Sequence, residues 1–305
     1  MFKTILSRLG QGVIVVFFLL SITFVLVRLM PGDPLTDEKA LPEHVIQKNR
    51  EYYKLDQPTV VQYFHYLGNV AQGDLGPAMS KAGRDVFEII RYSFPASLAL
   101  GVSGILISIV VGIPAGIISA LRKNSYIDYS TMVVAMFGIS IPSFVIGPLL
   151  ASSIASNVPF LKVAGWGDPL DWVLPSITLG LATAAYIARI TRGGMLEVLN
   201  QDYIRTARAK GVSQLNIILK HAMRGGIIPA IAYIGPAFAA LISGSFIVET
   251  IFQIPGLGQH FINGALARDY NLIQGVVILF GILIVIANLA ADIALALLNP
   301  RLRKA

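Results

Sequence analysis

Long apolar stretches are the feature that most constrains what this chain of 305 residues can fold into. A helix rises about 1.5 Å per residue, so about 20 apolar residues cross a hydrocarbon core about 30 Å thick. Only 13% of the residues are charged, well below the fraction that is usual in soluble domains. The sequence therefore predicts an all-α, polytopic membrane protein with six transmembrane helices, within residues 9–27, 96–121, 129–161, 172–188, 227–248 and 270–298.

Two of these stretches need separate interpretation. The third is longer than one helix requires and contains Pro142, Pro148 and Pro159, and proline interrupts helices. The first follows Lys3 and Arg8, as the core of a signal peptide would. It is longer than a usual signal-peptide core, however, and no small-residue cleavage site follows it. We therefore expect it to remain as an uncleaved first helix.

Basic residues are distributed unequally between the two sides of the predicted helices. Short loops that are rich in Lys and Arg stay in the cytoplasm, so this distribution orients the protein. The short outer loops contain little more than Lys162 and Arg268, which predicts that both termini are cytoplasmic. Topology also explains the net charge of +7 better than binding to nucleic acid does. The basic residues of the inner segments are Lys3, Arg8, Arg122, Lys123, Arg189, Arg192, Arg205, Arg208, Lys210, Lys220, Arg224, Arg301, Arg303 and Lys304.

The long outer loop, residues 31–95, contains one segment with helical periodicity. Its apolar residues recur at helical spacing after Pro58, which indicates an amphipathic helix near the membrane surface. For the role of this helix, packing without a binding role is favoured over binding. The periodic residues are Val60, Tyr63, Phe64 and Leu67. We divide the chain into the first helix with its loop (1–95), a five-helix transmembrane domain (96–298) and a cytoplasmic tail (299–305).

The inner loop between the fourth and fifth stretches, residues 189–226, combines apolar periodicity with clustered charge. Arg205 and Arg208 lie one turn apart on another face from the periodic residues. The spacing predicts a helix that contains these residues. Gly211 is expected to end that helix, and Ser213 is expected to cap a following helix. The loop is therefore predicted to form two short helices with an exposed corner near residues 201–213. The residues at three-four spacing are Leu196, Leu199, Tyr203 and Thr206.

The sequence lacks the motifs of the common catalytic and energy-coupling sites. It has no phosphate-binding loop and no zinc-protease motif, and it contains no Cys, so we predict no catalytic residue and no metal site. The Gly-Val-Ser-Gly segment at 101–104 could imitate an intramembrane serine protease, but no His lies in a predicted span, and close helix packing is the better interpretation. Asp292 and Glu249 lie near helix ends, so a self-sufficient ion-coupled carrier or channel is not favoured. These features indicate that another subunit supplies the energy.

Residues 205–211, Arg-Thr-Ala-Arg-Ala-Lys-Gly, resemble the cytoplasmic signature loop of ABC-importer permeases. The general form of that loop is Glu-Ala-Ala, three residues, then Gly. Here Arg205 replaces the Glu, and Met223-Arg224, the end of His-Ala-Met-Arg at 221–224, stand where the wider family has Leu-Pro. Both departures are similar to the peptide and nickel branch of the family. Further similarity to the B-type permeases of that branch, and most closely to those of oligopeptide importers, covers 21–34, 73–76, 249–258, 268–270 and 299–301.

The resemblance implies the type I ABC-importer permease fold and a role in a bacterial inner membrane. It implies a heterodimer with a C-type permease, two ATPase subunits that bind ATP and Mg, an extracytoplasmic binding protein, contact with membrane lipid, and no cofactor on this chain. The signature loop would dock into an ATPase, with Ala207, Ala209 and Gly211 permitting close approach and Arg205, Arg208 and Lys210 pairing with carboxylates. The expected coupling residues are Asp202, Arg205, Thr206, Ala207, Arg208, Ala209, Lys210 and Gly211.

The sequence constrains the substrate path and the cargo less than it constrains the fold and the signature loop. Small polar residues at Ser140, Ser143, Ser243 and Ser245 either line a pore or pack between helices, and packing is favoured. The resemblance implies peptide cargo, with oligopeptides first, and it leaves dipeptides, nickel chelates and glutathione-like compounds open.

Overall fold

The structure is a computed structural model that describes residues 2–30, 43–80 and 83–298. Regular structure in these ranges is helical, with one isolated β-bridge between Pro77 and Asp85, so the all-α prediction is confirmed. Residues 31–34, the end of the family-like segment 21–34, and the predicted tail at 299–305 lie outside the described residues. The helices before the third apolar stretch are α1 Phe2–Leu29, α2 Glu43–Tyr53, α3 Thr59–Ala71 and α4 Val86–Leu121.

The rest of the described chain is also helical. Helices α5 and α6 carry the third apolar stretch, α7 the fourth, α11 and α12 the fifth, and α14 the sixth. Short α-helical segments and two π-helical turns, Ala151–Ala155 and Ile217–Ala222, lie between them. The bounds are α5 Tyr126–Ser140, α6 Ser143–Leu150, α7 Val173–Leu199, α8 Asp202–Ala209, α9 Gln214–Asn216, α10 Met223–Gly226, α11 Ile228–Gly244, α12 Phe246–Ile251, α13 Leu257–Leu266 and α14 Tyr270–Leu298.

The third apolar stretch is bent, as its prolines predicted. Helix α5 and the segment 143–155 meet at an angle of 104°. Ile141 has the extended conformation (φ −86°, ψ 119°), which is the conformation that a following proline imposes. Pro142 then occupies the N-cap position of α6. Five other helical segments in the described ranges are long and apolar enough to cross a membrane, and there are six if the bent pair counts as one span.

Helix α4 begins earlier than predicted. The apolar run starts at Ala96, but the helix starts at Val86 and includes Pro95. Its 36 residues correspond to about 54 Å, so it is longer than the hydrocarbon core is thick. Hydropathy detects only the part of a helix that lies in lipid. The predicted division of the chain at residue 95 therefore falls inside a helix.

Two compact units are distinguished by their internal contacts. The first is formed by Leu98–Ile254 with the two ends of the chain, and the second by Gly10–Ser97 with Pro255–Leu283.

In the first unit Arg8 Nε contacts Asp292 Oδ2 at 3.0 Å, so α1 begins where α14 ends. An even number of crossings brings the two ends of a chain to one side. The ion pair therefore supports counting the bent pair as one crossing, which makes six.

Small residues allow α4 and α7 to approach closely in the first unit. A Cβ added to Gly112 would lie 2.6 Å from the backbone oxygen of Ala184, and one added to Gly116 would collide with that of Ala188. Ser108 Oγ donates to Gly180 O at 2.8 Å across the same contact. Residues 101–104, which could imitate a serine protease motif, also make packing contacts. Gly101 packs on Ile242, Gly104 packs on Leu179, and Ser103 donates to Ala99 O. Packing is thus the role of residues 101–104.

The second unit has its own apolar clusters and a polar junction. Val86, Ile90, Leu257, Leu272 and Val276 are buried together. Next to them the carboxylate of Asp269 accepts bonds from the backbone N–H and the hydroxyl of Ser80, both at 2.8 Å. This junction joins the start of α14 to the loop that precedes α4.

We predict opposite effects for two glycine-to-alanine substitutions in the first unit. Gly116→Ala should destabilise the protein by about 1–3 kcal/mol, because the new methyl group meets backbone atoms. Gly193→Ala, on an open face of α7, should be neutral or stabilising by up to about 1 kcal/mol. Thermal unfolding of the purified protein in detergent would measure both. Equal effects of the two substitutions would contradict the close packing of α4 and α7.

Candidate functional site

The charged segment identified in the sequence forms α8, a separate helix directly after α7. Gln201 interrupts the chain between them, because its extended backbone (φ −73°, ψ 150°) starts a new helix. The prediction of one periodic helix through 196–206 is therefore wrong. Leu196 and Leu199 lie at the end of α7, whereas Tyr203 and Thr206 lie on α8. The interruption lets α8 take its own direction relative to α7.

Two residues of α8 attach it to the rest of the first unit. Ile204 is completely buried and Ala207 is 7% exposed. They belong to an apolar cluster, hereafter the α8 cluster, whose other buried members are Ala120, Met195, Ile217 and Ala222. The cluster includes the last turns of α4 and α7. Ala207 was expected to permit close approach to an ATPase, whereas its methyl group packs within this chain.

The opposite face of α8 is polar and exposed. Asp202, Arg205, Thr206, Arg208, Ala209 and Lys210 all lie on the surface. Arg205 Nη1 lies 3.6 Å from Asp202 Oδ1, but these side chains are 73% and 96% exposed, so the pair contributes little stability. The guanidinium of Arg205 is consequently accessible to a partner. The surface combines three cations with the small side chain of Ala209.

The end of α8 is formed by a glycine in the left-handed region. Gly211 has φ +76°, and the backbone N–H of Val212 bonds to Ala207 O at 3.2 Å. This hydrogen-bond pattern is typical of a glycine helix stop and confirms the predicted role of Gly211. Ser213 occupies the N-cap position of α9 as predicted, but its side chain makes no capping hydrogen bond. The following segment combines α9, a π-helical turn and α10 rather than forming one regular helix.

A buried ion pair lies beside the α8 cluster. The guanidinium of Arg192 donates to both carboxylate oxygens of Asp128, from Nε at 2.6 Å and from Nη2 at 2.7 Å. The same carboxylate accepts bonds from the hydroxyl of Ser119 and the N–H of Asn124, and it is 1% exposed. Because these residues lie on α4, α5 and α7 and in the α4–α5 turn, the pair joins three helices next to α8. Sequence reasoning missed it, since Arg192 was interpreted only as a topological charge.

The four serines proposed for the pore occupy different environments. Ser140 and Ser243 are exposed on this chain and Ser143 is partly exposed. Ser245 is completely buried, and its hydroxyl bonds to Glu249 Oε1 at 2.6 Å. A buried hydroxyl with this partner is a packing residue, so the pore-lining alternative is wrong for Ser245. For the other three serines both interpretations remain.

We predict that the position of α8 depends on Ile204. Ile204→Ala should lower the free energy of unfolding by about 2–5 kcal/mol, because it leaves a cavity in the α8 cluster. Leu215→Ala is the control, since Leu215 is 66% exposed, and its effect should stay within about 0.5 kcal/mol. Thermal unfolding of the two purified variants would measure the difference. Equal stabilities would show that α8 is not held by this cluster.

The fold is similar to that of a solved ABC transporter in two crystal forms. A structure of the MetNI methionine ABC transporter in an inward-facing conformation has a TM-score of 0.59 and 19% identity, over 69% of this chain and 96% of that chain. A second crystal form of MetNI has a TM-score of 0.56 and 17% identity. These similarities show that the chain has the fold of a type I ABC-importer permease.

Comparison of the sequences covers the whole chain. It is 43% identical over 305 residues to the oligopeptide transport system permease protein OppB of Salmonella typhimurium, covering 99% of this chain and 100% of the relative. It is 39% identical to the dipeptide transport system permease protein DppB of Bacillus subtilis, with 99% and 98% coverage. Residues 1–101 match the N-terminal domain of binding-protein-dependent transport system membrane components. Because residues 112–304 match the binding-protein-dependent transport system inner membrane component, the chain belongs to that family of membrane transport proteins.

Proposed function

We propose that this chain is a transmembrane permease subunit of an ATP-driven peptide importer and that α8 is its contact with an ATPase subunit. The observation that supports the role of α8 is its two-sided structure. Ile204 and Ala207 attach it to the ends of α4 and α7, while Arg205 and Arg208 remain free to contact another protein. A helix fixed on one side and cationic on the other can transmit a displacement to the spanning helices.

The coupling mechanism follows from this attachment. Carboxylates on the ATPase would pair with Arg205, Arg208 and Lys210, and the small Ala209 and Gly211 would allow close approach of the two backbones. When the ATPases close on ATP and Mg, α8 would move as a rigid body together with the ends of α4 and α7. The buried pair of Asp128 and Arg192 would keep α5 in the same moving group. The pore would thereby change between inward and outward access.

The proposed orientation places both termini in the cytoplasm. The basic inner segments support it through the positive-inside rule, and the contact between Arg8 and Asp292 places both ends of the chain together. In this orientation α8 lies on the cytoplasmic side, where ATP is available. The complete transporter would contain a C-type permease, two ATPases and an extracytoplasmic binding protein, with lipid around the spanning helices.

Oligopeptides are the proposed cargo, because the similarity to OppB proteins extends over the full chain at 43% identity. Dipeptides are the second candidate, on the basis of the full-length similarity to DppB at 39% identity. Both are peptides that carry backbone donors and acceptors through the membrane. The exposed hydroxyls of Ser140 and Ser243 are candidates for hydrogen bonding to them along the path.

Charge reversal on α8 tests the coupling site. The double variant Arg205→Glu, Arg208→Glu should weaken ATPase docking by about tenfold or more and abolish uptake, because attraction to carboxylates becomes repulsion. Membrane insertion should be unchanged, since both side chains lie on the surface. Co-purification of the ATPase and uptake of a labelled peptide in vesicles would measure the two effects.

Lys220→Glu is the matched control, because Lys220 is an exposed cation outside α8. It should retain docking and uptake close to the unaltered level. Tight docking with normal uptake in the double variant would overturn the coupling role of α8 while leaving the peptide permease function intact.

Cargo is tested separately with the assembled transporter. Uptake of labelled dipeptides and of peptides with four or five residues should be measured in competition, in the presence of the cognate binding protein. We expect the longer peptides to be preferred. A preference for dipeptides would select the second candidate, and failure of both to enter would contradict peptide transport.

A further inference from the structure

Helix α3 differs in composition from the chain that precedes it. Residues 43–56 contain six charged residues, whereas Thr59–Ala71 contains no Asp, Glu, Lys or Arg. A helix that is surrounded by water usually carries charged residues on its exposed face, and this helix of 13 residues carries none. The change in composition begins at Pro58, which occupies the N-cap position of α3.

Helix α1 provides a scale for the depth of α3. Arg8 and Arg28 are the arginines nearest its two ends, and twenty residues separate them, which corresponds to about 30 Å along a helix. This distance equals the thickness of a hydrocarbon core, so the two charges mark its two boundaries. Ser21 then lies about 10 Å inside the boundary at Arg28.

The contacts of α3 with α1 lie at that boundary or on its inner side. Phe24 packs against the rings of Tyr63 and Tyr66, with centroid distances of 5.1 and 5.5 Å. The hydroxyls of Tyr63 and Ser21 are 2.6 Å apart, and Arg28 Nε donates to Gln62 Oε1 at 3.1 Å. These contacts put the side chains of α3 that touch α1 between the level of Ser21 and that of Arg28, within about 10 Å of the boundary. This is the depth at which interfacial helices bind.

Other polar groups of α3 bond to α2 and the loop that follows it. His65 Nε2 lies 2.9 Å from Tyr52 O, and Gln62 Nε2 donates to Gln57 O at 2.9 Å. The remaining face carries Val60 and Phe64, one turn apart and 66% and 65% exposed, with Val61 at 40%. On α1 the neighbouring exposed side chains are also apolar, among them Val25 at 53%. Val60, Val61 and Phe64 thus form an exposed apolar face on α3, and exposed residues of α1 near Arg28 are apolar as well.

We infer that α3 is immersed in the membrane leaflet at the Arg28 end of α1, with Val60, Val61 and Phe64 in contact with phospholipid. In the proposed orientation this is the outer leaflet. The helix lies in the plane of the boundary between headgroups and acyl chains, with its polar face toward α2 and its apolar face toward lipid. It thereby connects the extracytoplasmic segment of the chain to the membrane surface. This inference does not depend on the cargo or on the role of α8.

Site-directed spin labelling tests the inference directly, because the chain contains no Cys. Single variants Phe64→Cys and Val60→Cys would be assembled with cysteine-free partner subunits and reconstituted in vesicles of phosphatidylethanolamine and phosphatidylglycerol. A nitroxide at each position reports its collisions with oxygen, which concentrates in lipid, and with a nickel chelate, which stays in water. Val25→Cys on α1 is the control for lipid contact, and Gln47→Cys, exposed on α2, is the control for water.

We expect the ratio of oxygen to nickel collisions at Phe64 and Val60 to exceed that at Gln47 by about tenfold and to approach that at Val25. A ratio equal to that at Gln47 at either position would overturn the inference, because the face would then be in water. Low collision rates with both reagents and an immobilised label would also overturn it, since a partner protein would then cover α3.

Discussion

The bidentate ion pair between Arg192 and Asp128 is the interaction on which the arrangement around α8 depends. It lies where the end of α4, the start of α5 and the last third of α7 meet, and the carboxylate is almost completely buried. A buried charge is stable only when its partners satisfy it, so the three helices must keep this geometry together. Ser119 and Asn124 supply the remaining hydrogen bonds to the carboxylate. The α8 cluster begins one residue and one turn away, at Ala120 and Met195.

This arrangement separates two requirements of a coupling element. The apolar side of α8 must be rigidly connected to the spanning helices, and its polar side must remain available to another subunit. Ile204 and Ala207 meet the first requirement, and the exposed Arg205 and Arg208 meet the second. An isolated helix of eight residues would be unstable in water, so the burial of Ile204 also maintains the helix itself.

Much of the fold could be predicted because the membrane restricts the possible structures. Backbone groups in lipid must bond within a helix, so long apolar stretches are sufficient to predict spanning helices. Proline and glycine act through their own backbone preferences, which is why an interruption at Pro142 and the helix stop at Gly211 were predicted correctly. Pro148, however, lies inside α6 and does not interrupt it. The start of α4 and the interruption at Gln201 were not predicted, because apolar periodicity does not record where a helix leaves the lipid or changes direction.

Composition and local sequence motifs are sufficient for the all-α class, six long apolar stretches, the family and the cationic segment 205–211. Which side chains of that segment face inward depends on tertiary packing. Ala207 in that segment, and Ser245 elsewhere, are small residues for which the sequence does not distinguish a buried from an exposed position. Both are buried in the structure. The pairing of Arg192 with Asp128 likewise depended on the tertiary structure, since 64 residues separate the two in the chain. Such contacts form only when helices from distant parts of the chain pack together, so no local pattern encodes them.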